Sequence, residues 1–432
     1  MAQQSEPKTN KTNKTKLIGQ GSYGCVYYPG IKCNGKTENL QYVTKVQHES
    51  QEVIKEKEVG EQIRKRKIKK YYDYFAPVIS SCPLKIGLIE KDELNQCNVL
   101  QTQPPNPADP NDPNDPNDQP KFVSVKIRYV GKQTLKEHLL ERLITDTPTF
   151  FGHMIETLLY LCYSLDKLIQ ANVIHYDLKS NNIMFHEKIQ NPVIIDFGMS
   201  ILINKITKQE YSSTFFDHYE KYPPWCVDIV IVSFLVKKEY SSQTKITKED
   251  TNTLKTIVNK YFAENPTIVH IENSNTKNQN QKQKITKYWI DFVESKQNKT
   301  CEKVVTELLE NWKTWDTYSL IVIYYRFMKE NVKMKETAPF VDSYLEILET
   351  YILAKPTDRK EPLKLRKELL DFSKKIPKSD FLKWNQKMTN YQKDPSVVEA
   401  EKESVQKDLD ENKKIENTLF EKKRQKKTNP QT

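Results

Sequence analysis

Short apolar runs, several of them alternating with polar residues, predominate in the first 130 residues of the chain. The segment 42–46 alternates like a strand around a single charge, Lys45, and the segment 25–28 is another β-rich run. Apolar runs at 84–89 and 122–130 predict two neighbouring strands. The first part of the sequence therefore predicts a sheet.

The spacing of apolar residues changes after residue 150. Across 151–170 they recur every three or four positions, which predicts an amphipathic helix, and 345–353 and 363–372 continue the helical pattern. A β-rich part followed by a larger helical part is typical of a two-lobed α+β protein. We therefore predict an α+β fold.

Polar or charged segments interrupt this pattern at 1–15, 101–120, 273–285 and from 391 onwards. Within the second of these, Asp-Pro-Asn occurs three times between Asp109 and Asn117. A proline at every third position disfavours both helix and sheet, so we predict a mobile loop. Hydrophobic residues make up 37% of the chain, and the polar segments account for this low share.

A glycine-rich segment follows the apolar residues Leu17 and Ile18. It reads Gly19-Gln20-Gly21-Ser22-Tyr23-Gly24-Cys25-Val26. Glycines let a backbone approach phosphate groups without a Cβ in the way, and Val26 would then lie on an adenine ring. A dinucleotide-binding turn shares the first six positions but expects a helix directly afterwards. Because β-rich residues follow, a glycine-rich hairpin is the better prediction.

A second motif lies in the middle of the chain and is more specific. It reads His175-Tyr176-Asp177-Leu178-Lys179-Ser180-Asn181-Asn182, and Asp196-Phe197-Gly198 follows it. In such an arrangement Asp177 can accept a hydroxyl proton, while Asn182 and Asp196 can hold Mg²⁺ against nucleotide phosphates. A lone His-x-Asp would carry little weight, whereas the compound motif indicates phosphoryl transfer.

Together, these segments resemble the eukaryotic-type serine/threonine protein kinase superfamily over residues 16–385, and more narrowly the divergent kinases of large DNA viruses. The resemblance implies a bilobal protein-kinase-like fold, with ATP bound in the cleft. It implies Asp177 as the catalytic base, Asn182 and Asp196 as Mg²⁺ ligands, and Lys45 as the lysine that binds the ATP phosphates. It also implies ATP contacts from the glycine-rich loop and the hinge, namely Leu17, Ile18, Gly19, Gln20, Gly21, Ser22, Tyr23, Gly24, Val26, Tyr129 and Val130.

The resemblance also divides the chain. We predict a disordered N-terminus at 1–15, a small β-rich N-lobe at 16–130 that contains the mobile loop 101–120, a larger helical C-lobe at 131–390, and a charged tail at 391–432. The C-lobe is expected to contain a large insertion at about 226–312.

In this family a glutamate from the helix after the lysine strand holds the lysine. The helical segment 49–70 offers five glutamates. Glu56 is chosen because Val59 and Ile63 follow it on the same helical face, and Glu52 is the second choice.

Lys179 bears on the substrate. In this family, a lysine two residues after the catalytic aspartate goes with serine/threonine kinases, where it neutralises charge on the transferred phosphoryl group. The sequence therefore favours a protein serine/threonine kinase. Two alternatives stay open: a pseudokinase scaffold that binds nucleotide without turnover, and a small-molecule phosphotransferase.

Several positions depart from the family pattern. Tyr176 stands where many kinases carry an arginine that binds a phosphorylated activation loop, so we expect activity that does not depend on loop phosphorylation. The usual Ala-Pro-Glu is missing, and the segment 222–225, Tyr-Pro-Pro-Trp, occupies a similar place. Arg359 resembles the late arginine that pairs with the missing glutamate. Asp228 and Asp316 compete as the buried aspartate that orients the catalytic loop, with Asp316 favoured.

Cysteine usage and charge suggest a location and partners. Seven cysteines form no Cys-x-x-Cys pair, and their spacing fits neither a zinc site nor a disulfide scaffold, so a reducing compartment is expected. No signal core or membrane span is predicted, which suggests the cytoplasm, or the host cytoplasm or virion if the protein is viral. The expected partners are ATP and a protein substrate. The net charge of +11 and the basic runs 64–70 and 422–427 leave nucleic acid as a less favoured partner.

Overall fold

The computed structural model describes residues 14–20, 24–66, 68–84, 96–97, 122–186, 188–206, 211–237, 243–272, 276–331, 338–391 and 414. The predictions for residues 1–13, for the loop 101–120 and for nearly all of the tail therefore lie outside the described residues. The chain divides into two compact units, one of residues 1–57 and 77–129 and the other of residues 58–76 and 130–432.

The first unit contains a five-stranded antiparallel sheet with the order β1-β2-β3-β6-β5. Its strands are β1 (Lys16–Gln20), β2 (Gly24–Tyr28), β3 (Tyr42–His48), β5 (Val78–Leu84) and β6 (Phe122–Arg128). Helix α1 (Gln51–Lys65) follows β3. The predicted hairpin, lysine strand and following helix are thus confirmed.

One strand of the sheet includes residues that precede the predicted run. The sequence suggested 84–89, and of these Leu84 is described, in β5, where it pairs with Phe122 at the start of β6. In β5, Val78 and Leu84 are buried while the positions between them are less so. Residues 85–89 lie outside the described residues.

Four of the seven cysteines form disulfides, so the expectation that they would not pair is wrong. Cys25 of β2 bonds Cys97, and Cys33 bonds Cys82 of β5, with Cα atoms 6.0 and 5.9 Å apart. These separations are normal for disulfides. The partners are 72 and 49 residues apart in the chain and come together only in the folded structure, so spacing alone could not reveal them. The argument for a reducing compartment is lost with this expectation.

The second unit is mainly helical and includes two small sheets, β4-β9-β8 and β7-β10. Its strands are β4 (Phe75–Ala76), β7 (Val173–Ile174), β8 (Ile183–Phe185), β9 (Pro192–Ile195) and β10 (Ile201–Leu202). Its helices are α2 (Leu135–Thr145), α3 (Thr147–Gln170), α4 (Tyr211–Thr214), α5 (Val227–Lys237), α6 (Lys248–Glu264), α7 (Pro266–Glu272), α8 (Thr276–Ser295), α9 (Cys301–Leu309), α10 (Trp315–Asn331), α11 (Pro339–Ile352), α12 (Pro362–Lys374) and α13 (Lys378–Tyr391). The order of a β-rich part and a helical part confirms the α+β class.

Residues 58–76, expected in the N-lobe, belong to the second unit. Phe75 and Ala76 pair in parallel with β9, and the hydroxyl of Tyr160 on α3 donates to the carbonyl of Asp73 at 2.9 Å. Gln62 of α1 likewise donates to the carbonyl of Ala171 at 3.1 Å. These contacts attach the segment to the helical unit.

Helices α3 and α10 form much of the core of the second unit. Leu158, Leu165 and Leu168 of α3 are at most 1% exposed, as the three- and four-residue spacing predicted. The hydroxyl of Tyr324 on α10 donates to Thr157 of α3 at 2.8 Å. Helices α5 to α9 lie within the predicted insertion. Among the described residues, no helix combines the length and apolar character that a membrane span requires.

Asp228 of α5 and Arg359 form a buried ion pair. The Nη2 atom of Arg359 donates to both carboxylate oxygens, to Oδ1 at 2.6 Å, and the two side chains are 1% and 2% exposed. The Nε1 atom of Trp315 also donates to Asp228 Oδ2 at 3.2 Å. The late arginine thus pairs with Asp228, and the ion pair connects α5 to the segment before α12.

Breaking this pair should strongly destabilise the second unit. Asp228→Asn leaves a buried guanidinium without its carboxylate, at a cost of about 3–5 kcal/mol. Asp228→Asn combined with Arg359→Met should cost less than the two single changes added together, since no unpaired charge is left. Urea unfolding measures both effects.

The matched control is Asp291→Asn, which breaks the exposed Lys287–Asp291 pair of α8. It should cost at most about 1 kcal/mol. Additive costs in the double variant would show that Asp228 and Arg359 do not interact.

Candidate active site

In the first unit, the glycine-rich segment supplies the end of β1 and all but the last two residues of β2, and the two strands pair antiparallel. Gly19 pairs with Val26 across the hairpin, and Leu17 packs on the buried cluster that contains Cys25 and Tyr27. A Cβ on Gly24 would lie 2.4 Å from the carbonyl oxygen of Val46, so only glycine lets β2 approach β3 this closely. Ile18 is 52% exposed. Gly21, Ser22 and Tyr23 lie outside the described residues.

Lys45 lies on β3 between Val26 of β2 and Val125 of β6. Its Nζ atom is 3.8 Å from Glu56 Oε2 of α1, and the two side chains are only 9% and 3% exposed. Glu56 is buried on the helix, whereas Glu52 is half-buried. The Glu56 carboxylate attracts the Lys45 ammonium and so holds the lysine in position.

The expected hinge residues lie at the end of β6. The Tyr129 amide donates to the Gln41 carbonyl at 2.8 Å, and its ring stacks on Tyr28 with centroids 4.1 Å apart. That amide is therefore committed within the first unit. Val130 is 6% exposed.

A Walker-type signature, Gly-x-x-x-x-Gly-Lys-Thr, spans residues 30–37, although no P-loop was predicted. The segment connects β2 to β3 and folds back on itself, with a bridge between Ile31 and Thr37. The Lys32 amide donates to the Lys36 carbonyl at 2.8 Å. A P-loop requires a helix directly after these residues, and here a strand follows. The match is therefore one of letters only.

In the second unit, the segment 175–182 presents Asp177 between β7 and β8. The Nδ2 atom of Asn182 donates to the Asp177 carbonyl at 2.8 Å and to its Oδ2 at 2.9 Å. The Nζ atom of Lys179 lies 3.2 Å from the same carboxylate oxygen. All three residues are at most 5% exposed.

Asp316, on the first turn of α10, anchors this segment. Its Oδ2 accepts the His175 amide at 2.7 Å and its Oδ1 accepts the Tyr176 amide at 2.9 Å. Burial raises the pKa of Asp316, while His175 and the two amide donors act in the opposite direction. Of the two candidate aspartates, Asp316 is thus the one that orients the segment.

Tyr176 and Asp196 both have positive φ angles, 69° and 56°. Such a conformation costs an ordinary residue about 1–3 kcal/mol and persists where surrounding contacts enforce it. For Tyr176 those contacts include Asp316, Trp225 Nε1 on its carbonyl at 2.9 Å, and Ser233 at 3.1 Å from its hydroxyl. The Gly198 amide donates to the Asp196 carboxylate at 3.3 Å.

The donor set of the second unit suits magnesium. Asn182 uses its amide nitrogen on Asp177, which leaves its carbonyl oxygen as a ligand atom, and Asp196 supplies a half-buried carboxylate. Mg²⁺ prefers hard oxygen ligands, and it commonly uses one or two protein groups together with phosphates. Among the described residues, no group of three or more His, Cys, Asp and Glu could hold a metal by itself.

Sequence reasoning singled out the segment 222–225 but gave it no role. The Tyr222 hydroxyl donates to Asp177 Oδ1, and Tyr222 is fully buried. Trp225 donates to Tyr176, and the Pro224 carbonyl accepts from Ser319 of α10 at 2.6 Å. The segment thereby fixes the second oxygen of Asp177. The available signal was two aromatic residues with polar tips flanking a rigid Pro-Pro pair.

The chain is similar to known protein kinases. Residues 12–224 match a family model described as protein tyrosine and serine/threonine kinase. A solved structure titled "Crystal structure of BubR1 kinase domain" matches with a TM-score of 0.42 and 12% identity, covering 86% of this chain and 84% of that one. A search of curated proteins finds no match.

Proposed function

We propose that this chain, which belongs to the protein kinase superfamily and has its bilobal fold, transfers the γ-phosphoryl group of ATP to serine or threonine hydroxyls of a protein. The observation that carries the proposal is the fixed Asp177 carboxylate. Lys179 and Asn182 contact one oxygen and Tyr222 the other. A base held in this way is oriented to accept the proton of an incoming hydroxyl.

The other roles follow from the same proposal. Lys45, held by Glu56, would bind the ATP phosphates, and residues 17–24 and Val26, with Tyr129 and Val130, would contact the nucleotide. Asn182 and Asp196 would hold Mg²⁺, which supplies neutralising charge on the phosphates when bound. The resemblance to viral kinases and the cytoplasmic location stay predictions.

Tyr222 is proposed as a positioning residue, because it acts on Asp177 rather than on the substrate. Its hydroxyl donates to a charged group, and hydrogen bonds of this kind contribute about 1.5–3 kcal/mol. Without it, Asp177 would keep its contacts on Oδ2 but lose the one on Oδ1.

The first prediction from the proposed function concerns the proposed base, Asp177. Asp177→Asn should lower the turnover of a generic basic protein substrate by about 10² or more while ATP affinity is unchanged, because the amide keeps the shape but cannot accept the proton. Phosphate incorporation and nucleotide binding are measured separately. The control Asp291→Asn, on the exposed face of α8, should match wild type. Equal incorporation by the Asp177→Asn and wild-type proteins would refute the assignment.

The second prediction concerns Tyr222. Tyr222→Phe should reduce kcat about tenfold with little change in KM for ATP, since only the orientation of the base is affected. Tyr324→Phe is the control, because it removes an equally buried hydroxyl whose acceptor is Thr157. The control should lower the melting temperature and leave kcat alone. If both variants gave the same kinetics, Tyr222 would have only a structural role.

The third prediction concerns regulation. Burial raises the pKa of Tyr176, and its ring packs against Phe215, Phe216, Trp225 and Trp315, so this position offers an activation-loop phosphate no cation. Phosphatase-treated protein, with phosphate removal checked by intact mass, should therefore keep its activity. Loss of activity on treatment would contradict this.

A further inference from the structure

A small cavity in the second unit borders the segment that carries Asp177. Its volume is about 50 Å³, and its lining includes Lys136, Lys179, Ser180, Pro223, Arg326 and Glu330. Lys179 and Ser180 belong to the segment 175–182, and Pro223 follows Tyr222, whose hydroxyl contacts Asp177. The cavity is therefore adjacent to the proposed base.

Among the described residues that line this cavity, the cations Lys136, Lys179 and Arg326 outnumber the acid Glu330. The Arg326 Nε atom donates to Glu330 Oε1 at 2.8 Å, and the Lys136 Nζ atom lies 3.5 Å from Glu330 Oε2. Both cations thus contact the same carboxylate. The third cation, Lys179, already faces Asp177. These five side chains together carry a net positive charge.

Because these side chains are largely buried, their excess positive charge should attract an anion strongly. The side chains of Lys136, Glu330 and Arg326 are only 7%, 13% and 17% exposed. Charges shielded from water are screened less by salt and interact more strongly with a partner that enters the same cavity. The planar guanidinium of Arg326 also suits a carboxylate or phosphate geometrically.

We propose that this cavity is a subsite for an acidic side chain of the protein substrate, near the accepting hydroxyl; the inference rests on the function proposed above. A cavity of about 50 Å³ has room for a few water molecules, and hence for one carboxylate, but not for a nucleotide. An aspartate or glutamate placed there would give Lys136 and Arg326 a further acceptor. A phosphorylated residue has the same chemistry, and the experiment separates the two sources.

The probe is a serine peptide with neutral flanks, in which glutamate or glutamine is placed at each flanking position in turn. At one position, glutamate should raise kcat/KM about tenfold over glutamine, mainly through KM, and added salt should reduce the difference. Phosphoserine at the same position tests the alternative source. If it gains far more than glutamate does, the natural ligand is a phosphate.

Two substitutions in the cavity should change this preference in opposite directions. Arg326→Gln removes one cation and should abolish most of the discrimination. Glu330→Gln removes the competing carboxylate and should increase it. A folding defect cannot produce opposite effects from the same cluster, and melting temperatures are recorded for both variants.

Arg142→Gln is the matched control, because it breaks another Arg–acid pair with i,i+4 spacing, Arg142–Asp146 on α2. Its discrimination should equal that of wild type. Equilibrium binding of the glutamate and glutamine peptides to the full chain is measured alongside turnover.

The outcomes distinguish the two proposals. Turnover of all peptides at equal rates, with equal binding, overturns the subsite and leaves the kinase proposal standing. Selective binding of the acidic peptide that Arg326→Gln removes, without any phosphate transfer, supports the subsite and overturns the kinase proposal. A preference for glutamine over glutamate would also overturn the subsite.

Discussion

The Asp316 carboxylate accepts hydrogen bonds from the amides of His175 and Tyr176, and the geometry of the segment 175–182 depends on these two bonds. The segment 175–182 is irregular, so it cannot satisfy these amides within a helix or sheet. A buried carboxylate with two donors satisfies both and places the segment on the rigid first turn of α10. Asp177 and Asn182 lie within a few residues of Tyr176, so the contacts of Asp316 also fix where these two residues lie.

The departures from the family pattern around this anchor form one connected set of contacts. Tyr176 replaces a cation with an aromatic ring, and Trp225 covers that ring and binds its carbonyl. A few residues later, Asp228 provides the carboxylate that Arg359 needs. A fully buried arginine is tolerated only with such a partner. The segment 175–182 is therefore supported by aromatic packing together with a buried ion pair.

Features that depend on neighbouring residues could be predicted from the sequence, whereas most contacts between residues far apart in the chain could not. The glycine-rich hairpin, the lysine strand and α3 depend on local patterns, and all were predicted. Asp316 was favoured because residues 316–320 resemble the family's Asp-x-x-Ser-Leu pattern and lead into an apolar run. By contrast, Tyr222 reaches Asp177 over 45 residues and Arg359 reaches Asp228 over 131. Such pairs depend on how elements pack, and a single sequence carries no periodic signal for them. The two disulfides escaped prediction for the same reason.

Helices α5 and α6, which lie within the predicted insertion, are part of this support. Ser233 of α5 contacts the hydroxyl of Tyr176, and the Tyr261 hydroxyl of α6 lies 3.0 Å from the Trp225 carbonyl and 2.8 Å from the Tyr318 hydroxyl of α10. Burial raises the pKa of Tyr261 well above its usual value, so this hydroxyl remains neutral and can donate. Removing the insertion would expose the aromatic layer behind the segment 175–182. These helices therefore stabilise the geometry around Asp177.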